Sequence, residues 1–191
     1  HVDLNKNDYG YDYYNSENFF EKYNKIKVEY GNNIDLCAAI EFGEPHLYVN
    51  ELEELSKKPY DFIIGSIHWI GNMFPCQKVR EQYTAKEFYS LYWEEVLKTV
   101  KHGEIYYTET ILNEIFKNLL DKNMIIEINT SSLRKGHVET MPGIDLLEIY
   151  KTNGGQYITI GFDAHVVEDL CADYQIAKSL VEKVGLREVI Y

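Results

Sequence analysis

The sequence has few cysteines, no long apolar run and few positive charges. Its three cysteines, Cys37, Cys76 and Cys171, are far apart and odd in number, so they match neither a disulfide framework nor a CxxC zinc site. They favour a reducing compartment, and we expect the cytoplasm. No apolar run approaches the roughly 20 residues that span a bilayer, and no signal peptide is visible. We therefore expect a protein with no membrane partner.

The shortage of positive charge excludes one class of partner. Nineteen Lys and Arg residues stand against 31 Asp and Glu residues, which gives a net charge of −12. No basic stripe is available to displace counterions from a nucleic-acid backbone, so we expect no nucleic-acid partner. A small anionic substrate stays open, because a bound metal can supply local positive charge. The 191 residues, 45% hydrophobic and 26% charged, are typical of one globular domain over residues 1–191.

Strand-like and helix-like segments alternate along the chain. The predicted strands are residues 34–41, 61–68, 124–129, 157–161 and 188–191. The predicted helices are residues 15–30, 49–58, 85–100, 108–122, 143–152 and 173–184. This alternation predicts an α/β fold with a parallel sheet and right-handed crossovers. The pattern alone leaves an open sheet and a barrel as alternatives.

Several apolar segments end in a potential metal ligand. Residues 34–41 end in Glu41, residues 61–68 end in His68, and ITIGFDAH at 158–165 ends in Asp163 and His165. Side chains alternate faces along a strand, so Asp163 and His165 are predicted to point the same way. Parallel α/β folds place their chemistry at the carboxyl ends of the strands. The repetition predicts one shared metal site, and the chain also begins with His1.

Five motifs resemble those of the polymerase-and-histidinol-phosphatase (PHP) family, and within it the monofunctional histidinol-phosphate phosphatases. The motifs are HVD at 1–3, AIEFGEPH at 39–46, DFIIGSIHWIG at 61–71, EINTSSLRKG at 127–136 and ITIGFDAHVVEDL at 158–170. They occur in family order over nearly the whole chain. The resemblance implies a distorted (β/α)₇ TIM-like barrel that holds up to three divalent metals at the carboxyl ends of its strands.

The resemblance also implies the ligands of those metals. They are His1, Glu41, His68, Asp163 and His165. Imidazole and carboxylate groups suit zinc, manganese or iron, and a bridging carboxylate can hold two cations close together. Glu41, Asp163 and His165 are the implied catalytic residues. Divalent metals lower the pKa of a bound water and neutralise phosphate charge.

Two residues are predicted to bind substrate. Arg134 in NTSSLRKG offers a bidentate fork for phosphate oxygens, whereas its neighbour Lys135 is expected to face away. Asp3 either pairs with the ammonium of an amino-alcohol substrate or is a solvated turn carboxylate. The remaining histidines are expected to have structural or loop roles. They are His46, His102 and His137.

Two family motifs have no counterpart in the sequence. A first strand with an HxH motif should precede His1, and a strand ending in a GHxD-like motif should lie near residues 101–104, where KHGE connects two helices directly. The barrel therefore lacks its first strand and one internal strand in these 191 residues. Either the chain is shortened, or the sequence omits parts of a longer protein. We favour the second explanation, because a missing strand would expose a sheet edge.

The resemblance implies hydrolysis of the phosphomonoester L-histidinol phosphate to L-histidinol and phosphate, in histidine biosynthesis. One alternative is a related PHP phosphoesterase that acts on another small phosphomonoester. The other is a degenerate metal-binding PHP domain with a regulatory or scaffolding role, which the two absent motifs favour. The sequence leaves the metal identity and the oligomeric state open.

Overall fold

The first helix begins and ends where its sequence predicts. In the computed structural model, α1 spans Ser16–Tyr30 and Gly31 follows it. The side chain of Asn15 accepts a hydrogen bond from the backbone N–H of Asn18 at 2.9 Å, which satisfies one of the free donors of the first helical turn. The structure describes residues 1–11, 13–75, 79, 81–101 and 111–190, without the side chains at 101 and 111.

The remaining elements alternate as the hydrophobic pattern predicts. The strands are β1 (Ala39–Gly43), β2 (Phe62–Ser66), β3 (Ile126–Asn129), β4 (Tyr157–Gly161) and β5 (Arg187–Glu188). The other helices are α2 (Val49–Ser56), α3 (Ala85–Lys101), α4 (Ile111–Asp121), α5 (Ser131–Arg134), α6 (Ile144–Thr152) and α7 (Tyr174–Val184). A short 3₁₀ helix spans Val167–Asp169. Helix α5 and the 3₁₀ helix have too few residues to show periodicity in the sequence.

Every pair of neighbouring strands among the described residues is parallel, which confirms a mixed α/β fold. Strand β1 pairs with β2, and β4 lies between β3 and β5. The segment at the start of the chain adds a parallel bridge between Val2 and Phe42 of β1. The described strands thus form one two-stranded and one three-stranded sheet.

Backbone contacts divide the chain into two units, His1–Ile105 and Tyr106–Tyr191. In the first unit, Val2, Ile40 and Phe42 form a buried cluster. In the second unit, α4 packs on α6, α6 packs on α7, and α7 covers β4 and β5. The buried side chains there include Ile115, Phe116, Ile128, Leu147, Tyr150, Ile158 and Val181. Each unit therefore has an apolar core of its own.

Four of the five predicted strands have different bounds in the structure, and β3 begins at Ile126 instead of residue 124. The first begins at Ala39 instead of residue 34, and Ile34 is 55% exposed. The second ends at Ser66, two residues before His68. The last covers Arg187–Glu188, whereas the prediction ran to residue 191, which lies outside the described residues. In the part of the chain that the structure describes, no helix is both long and apolar enough to cross a membrane.

Candidate metal centre and substrate site

Glu41 and His68 are brought together by the β1–β2 pair. Ile40 and Phe42 of β1 are buried, so Glu41 between them projects from the opposite face of the strand. His68 follows the end of β2, and its Nε2 lies 3.0 Å from Glu41 Oε1. The expectation that both residues terminate strands is wrong, because Glu41 lies within β1 and His68 lies in the turn after β2.

The start of the chain contributes two more side chains to this face. The N–H of Val2 donates to the Glu41 carbonyl at 2.7 Å, which places the segment beside β1. Val2 is buried, so His1 and Asp3 project to the other side by the same alternation. His1 Nε2 lies 2.8 Å from Asp3 Oδ2, and His1 Nδ1 lies 3.5 Å from Glu41 Oε2.

Asp3 lies at the centre of this cluster. Its side chain is 1% exposed, and Oδ1 lies 2.8 Å from His68 Nδ1 while Oδ2 faces His1. A solvated turn carboxylate, one of the two interpretations of Asp3, is therefore wrong. The other interpretation, a contact with a substrate ammonium, stays a prediction, because each carboxylate oxygen can accept a further hydrogen bond besides that from the imidazole. The sequence did not predict that Asp3 is buried, because its burial depends on a contact with His68, 65 residues away.

The two carboxylates stabilise the charged form of the His68 imidazole. The hydrogen bond with Glu41, opposed by burial and reinforced by Asp3, raises the pKa of His68 to about 9. The same hydrogen bond with His68 lowers the pKa of Glu41 below its ordinary value. Glu41 is therefore a carboxylate that favours its ionised form and can attract a cation.

The donor atoms of this cluster fit a divalent metal. One ligand atom from each of His1, Asp3 and His68 lies within 4.8 Å of the others, and Glu41 adds a carboxylate beside both imidazoles. Imidazole nitrogen and carboxylate oxygen are the donors that zinc accepts besides thiolate. The roles of His1, Glu41 and His68 as metal ligands remain predictions.

Gly43 is required at the edge of this cluster. A Cβ atom at Gly43 would lie 2.7 Å from Asp3 Oδ1 and 3.3 Å from His68 Nδ1. We expect Gly43→Ala to displace Asp3, lower the free energy of unfolding by about 1–3 kcal/mol and weaken zinc binding. Urea unfolding and zinc titration measure both effects. The control is Gly65→Ala on β2, whose Cβ would meet Pro45 Cγ at 3.2 Å instead. Equal zinc affinity in both variants would contradict the prediction.

In the second unit, Asp163 and His165 follow the end of β4. The strand ends at Gly161, and Asp163 has φ 49°, a left-handed conformation that is uncommon outside glycine. The predicted strand alternation of these two residues is therefore wrong. They are still neighbours, because His165 Nδ1 lies 3.0 Å from the Asp163 carbonyl oxygen and 3.5 Å from Oδ1. His165 is 73% exposed.

The guanidinium of Arg134 holds the turn that carries Asp163. Its Nη2 donates to the carbonyl of Phe162 at 2.6 Å and contacts that of Asp163 at 3.4 Å. Its Nε lies 3.1 Å from Asp169 Oδ1. Nη1 is buried, with no hydrogen-bond partner in the described part of the chain. Arg134 is therefore not a plain surface residue, and its role in phosphate binding stays a prediction.

Lys135 lies on the same side as Arg134, contrary to the expectation that it faces away. Its Nζ lies 3.5 Å from Asp163 Oδ2 and 3.3 Å from Ser131 Oγ, and its side chain is 65% exposed. Neighbours at the end of a helix are about 100° apart and not on opposite faces, which is why strand reasoning failed. A cavity of about 390 Å³ is lined by Ser131, Arg134, Lys135, Asp163, His165 and Asp169.

The structure describes two of the other three histidines, and their structural or loop roles stay predictions. His46 is nearly buried against α3, where Nε2 lies 2.8 Å from Glu95 Oε2 and Nδ1 lies 2.9 Å from Thr99 Oγ1. His137 is exposed in the loop after α5. His102 lies outside the described residues. Cys37 and Cys171 are free thiols, as their spacing predicts, and Cys76 also lies outside the described part.

This chain is similar to histidinol-phosphatases. It is 26% identical to a probable histidinol-phosphatase of Clostridium acetobutylicum, in an alignment over 222 positions that covers the whole chain and 82% of that protein. It is also 26% identical to the histidinol-phosphatase of Lactococcus lactis, over 92% of the chain and 74% of the relative. A probable histidinol-phosphatase of Schizosaccharomyces pombe is 27% identical over 85% of the chain and 64% of the relative. No family model matches the chain.

A solved structure has a similar fold. It is the crystal structure of histidinol phosphate phosphatase from Lactococcus lactis in complex with zinc, L-histidinol and phosphate. The superposition has a TM-score of 0.72 and a sequence identity of 25%, and it covers 92% of this chain and 76% of the other. The likeness therefore extends over most of both chains.

Proposed function

We propose that the protein is a phosphoric monoester hydrolase that converts L-histidinol phosphate to L-histidinol and phosphate in histidine biosynthesis. The observation that carries the proposal is the cluster of His1, Asp3, Glu41 and His68, in which the Asp3 carboxylate is buried. It occurs in a chain that is similar along its length to histidinol-phosphatases. The Lactococcus lactis enzyme with the similar fold binds zinc, L-histidinol and phosphate, which is the chemistry that such a donor set suits.

We further propose a PHP-type, TIM-like barrel that holds divalent metal. The proposed metal ligands are His1, Glu41, His68, Asp163 and His165. Zinc, manganese and iron all accept these donors, and up to three ions are proposed. Bound divalent metal supplies an activated water and neutralises the charge of the phosphate.

The residues of this chain have separate parts in the proposed reaction. Asp3 holds the imidazoles of His1 and His68 in place through one carboxylate oxygen each. Arg134 orients the phosphate through its guanidinium, which also donates to the carbonyl of Phe162 in the turn before Asp163. Lys135 adds an exposed positive charge at the rim of the same cavity.

We propose a small-molecule phosphomonoester as the partner, with no nucleic-acid or membrane partner, and a location in the cytoplasm. The net charge of −12 disfavours a nucleic-acid backbone. The free, exposed Cys37 and Cys171 are in keeping with a reducing compartment.

A phosphate-release assay combined with metal analysis tests the proposed function. We expect zinc-loaded protein to hydrolyse L-histidinol phosphate, and EDTA to abolish phosphate release until zinc is restored. Simple phosphomonoesters that lack the imidazole and the amine should have a kcat/KM at least about 10²-fold lower.

Other outcomes of the same assay would favour the alternatives. Equal rates on the whole substrate panel would indicate a phosphoesterase for another small phosphomonoester. Bound zinc without any phosphate release would indicate a degenerate domain. The encoded full-length sequence is a further check. An HxH motif before His1 and a GHxD motif near residue 101 would remove the reason to consider a degenerate domain.

A further inference from the structure

Glu44 is a buried carboxylate that directly follows β1 and is not among the expected ligands. Glu44 is only 1% exposed. Its backbone has φ 47°, which turns the side chain inward at the end of β1. Oε1 accepts hydrogen bonds from the backbone N–H groups of His68 at 2.5 Å and of Trp69 at 2.9 Å. Oε2 is buried and has no hydrogen-bond partner in the described part of the chain.

The backbone of Glu44 holds the same turn from its other side. Its N–H donates to the carbonyl of Ser66, the last residue of β2, at 2.9 Å, and its carbonyl accepts from the N–H of Leu47 at 2.9 Å. The side chain and the backbone of one residue therefore bind both ends of the segment 66–69. This segment carries the His68 imidazole to its position between Asp3 and Glu41.

A second contact anchors the loop to which Glu44 belongs. His46 is 5% exposed and lies between Glu95 and Thr99 of α3. The loop after β1 therefore contacts the turn after β2 through Glu44 and contacts α3 through His46. These contacts give Glu44 a fixed position from which to orient the His68 backbone.

We propose that Glu44 is a positioning residue for His68 and that it acts through the acceptor oxygen Oε1 and not through its charge. The proposal rests on the metal role assigned to His68 in the proposed function. The hydrogen bonds use only one oxygen, and they are made to neutral backbone donors. An amide oxygen can accept both of them, and a buried neutral amide costs less desolvation than a carboxylate does.

Two substitutions of similar volume separate the acceptor from the charge. Glu44→Gln keeps the oxygen and removes the charge, whereas Glu44→Met keeps the volume and removes the acceptor. We expect Glu44→Met to weaken zinc binding about 10–100-fold, as loss of a group that orients a ligand does, and to lower kcat in parallel. Glu44→Gln should restore zinc affinity to within about threefold of the wild type. Zinc-chelator competition and phosphate release measure both.

Two controls make the test specific. Glu54→Ala removes an exposed carboxylate of α2, 73% exposed, and should change nothing. The second control is the double variant His68→Asn, Glu44→Met. Its zinc affinity should be less than about threefold weaker than that of His68→Asn alone, because the imidazole that Glu44 positions is already absent. A purely structural role would weaken binding equally in both backgrounds and would overturn the proposal.

The remaining outcomes also decide the matter. Equal losses in Glu44→Gln and Glu44→Met would show that the charge acts, and an unchanged Glu44→Met would show that no positioning occurs. Zinc affinity is measured without substrate. If the wild type binds zinc but does not hydrolyse L-histidinol phosphate, the role of Glu44 is still tested although the proposed function has failed.

Discussion

Asp163→Asn is expected to abolish phosphate release while the protein stays folded. Asn has nearly the shape of Asp and tolerates the left-handed conformation at φ 49°, but it lacks the negative charge that a bridging metal ligand needs. The side chain of Asp163 is about a third exposed, and its carboxylate lies 3.5 Å from Lys135 Nζ and 3.5 Å from His165 Nδ1. The free energy of unfolding should therefore change by less than about 0.5 kcal/mol.

A phosphate-release assay measures turnover, and urea unfolding of the same preparation measures the free energy of unfolding. Glu168→Gln is a matched control, because it neutralises an exposed acid five residues further along the chain. It should keep wild-type turnover. An Asp163→Asn variant with wild-type activity would show that the proposed mechanism is wrong.

Arg134→Ala is expected to lose about 2–4 kcal/mol of transition-state stabilisation, measured as a fall in kcat/KM on L-histidinol phosphate. The substitution removes the proposed donor for phosphate and releases the carbonyls of Phe162 and Asp163. Arg134→Lys should recover only part of the loss, because an ammonium cannot donate to the turn and to an anion with the same fork geometry. Zinc content should be unchanged in both variants.

Lys135→Met serves as the comparison for Arg134→Ala. It removes the neighbouring exposed cation but breaks no contact to a backbone carbonyl. It should raise KM more than it lowers kcat, since an exposed charge contributes less than a buried one. Near-normal kcat/KM in Arg134→Ala would mean that Arg134 only supports the turn, and its phosphate role would have to be withdrawn.

Helix ends were predictable because the signals that set them are local. Asn15 and Gly31 bound α1, and Gly185 ends α7 with φ 75°. These residues act on backbone groups within a few positions, so a sequence window contains the whole cause. Strand ends were less predictable. Residues 34–38 are apolar enough for a strand, but β1 begins only at Ala39, where pairing with Phe62 of β2 starts.

The chemical types in the site could be predicted, but most of their contacts could not. The motifs indicated Glu41 and His68, and the structure brings these two within 3.0 Å. The sequence carried no sign that Asp3 lies between two imidazoles, that Glu44 accepts from the turn at His68, or that Lys135 lies beside Asp163. The metal-binding roles of Asp163 and His165 stay predictions.

The amino-acid sequence by itself determined the α/β alternation, the helix ends and the histidines and acids available for metal chemistry, because periodicity, capping and residue type are properties of short segments. Only the tertiary structure decided which carboxylates are buried. A buried charge is stable only beside a partner, and the partner of Asp3, like that of Glu44, is the turn at His68, far along the chain. Strand pairing brings that turn to them.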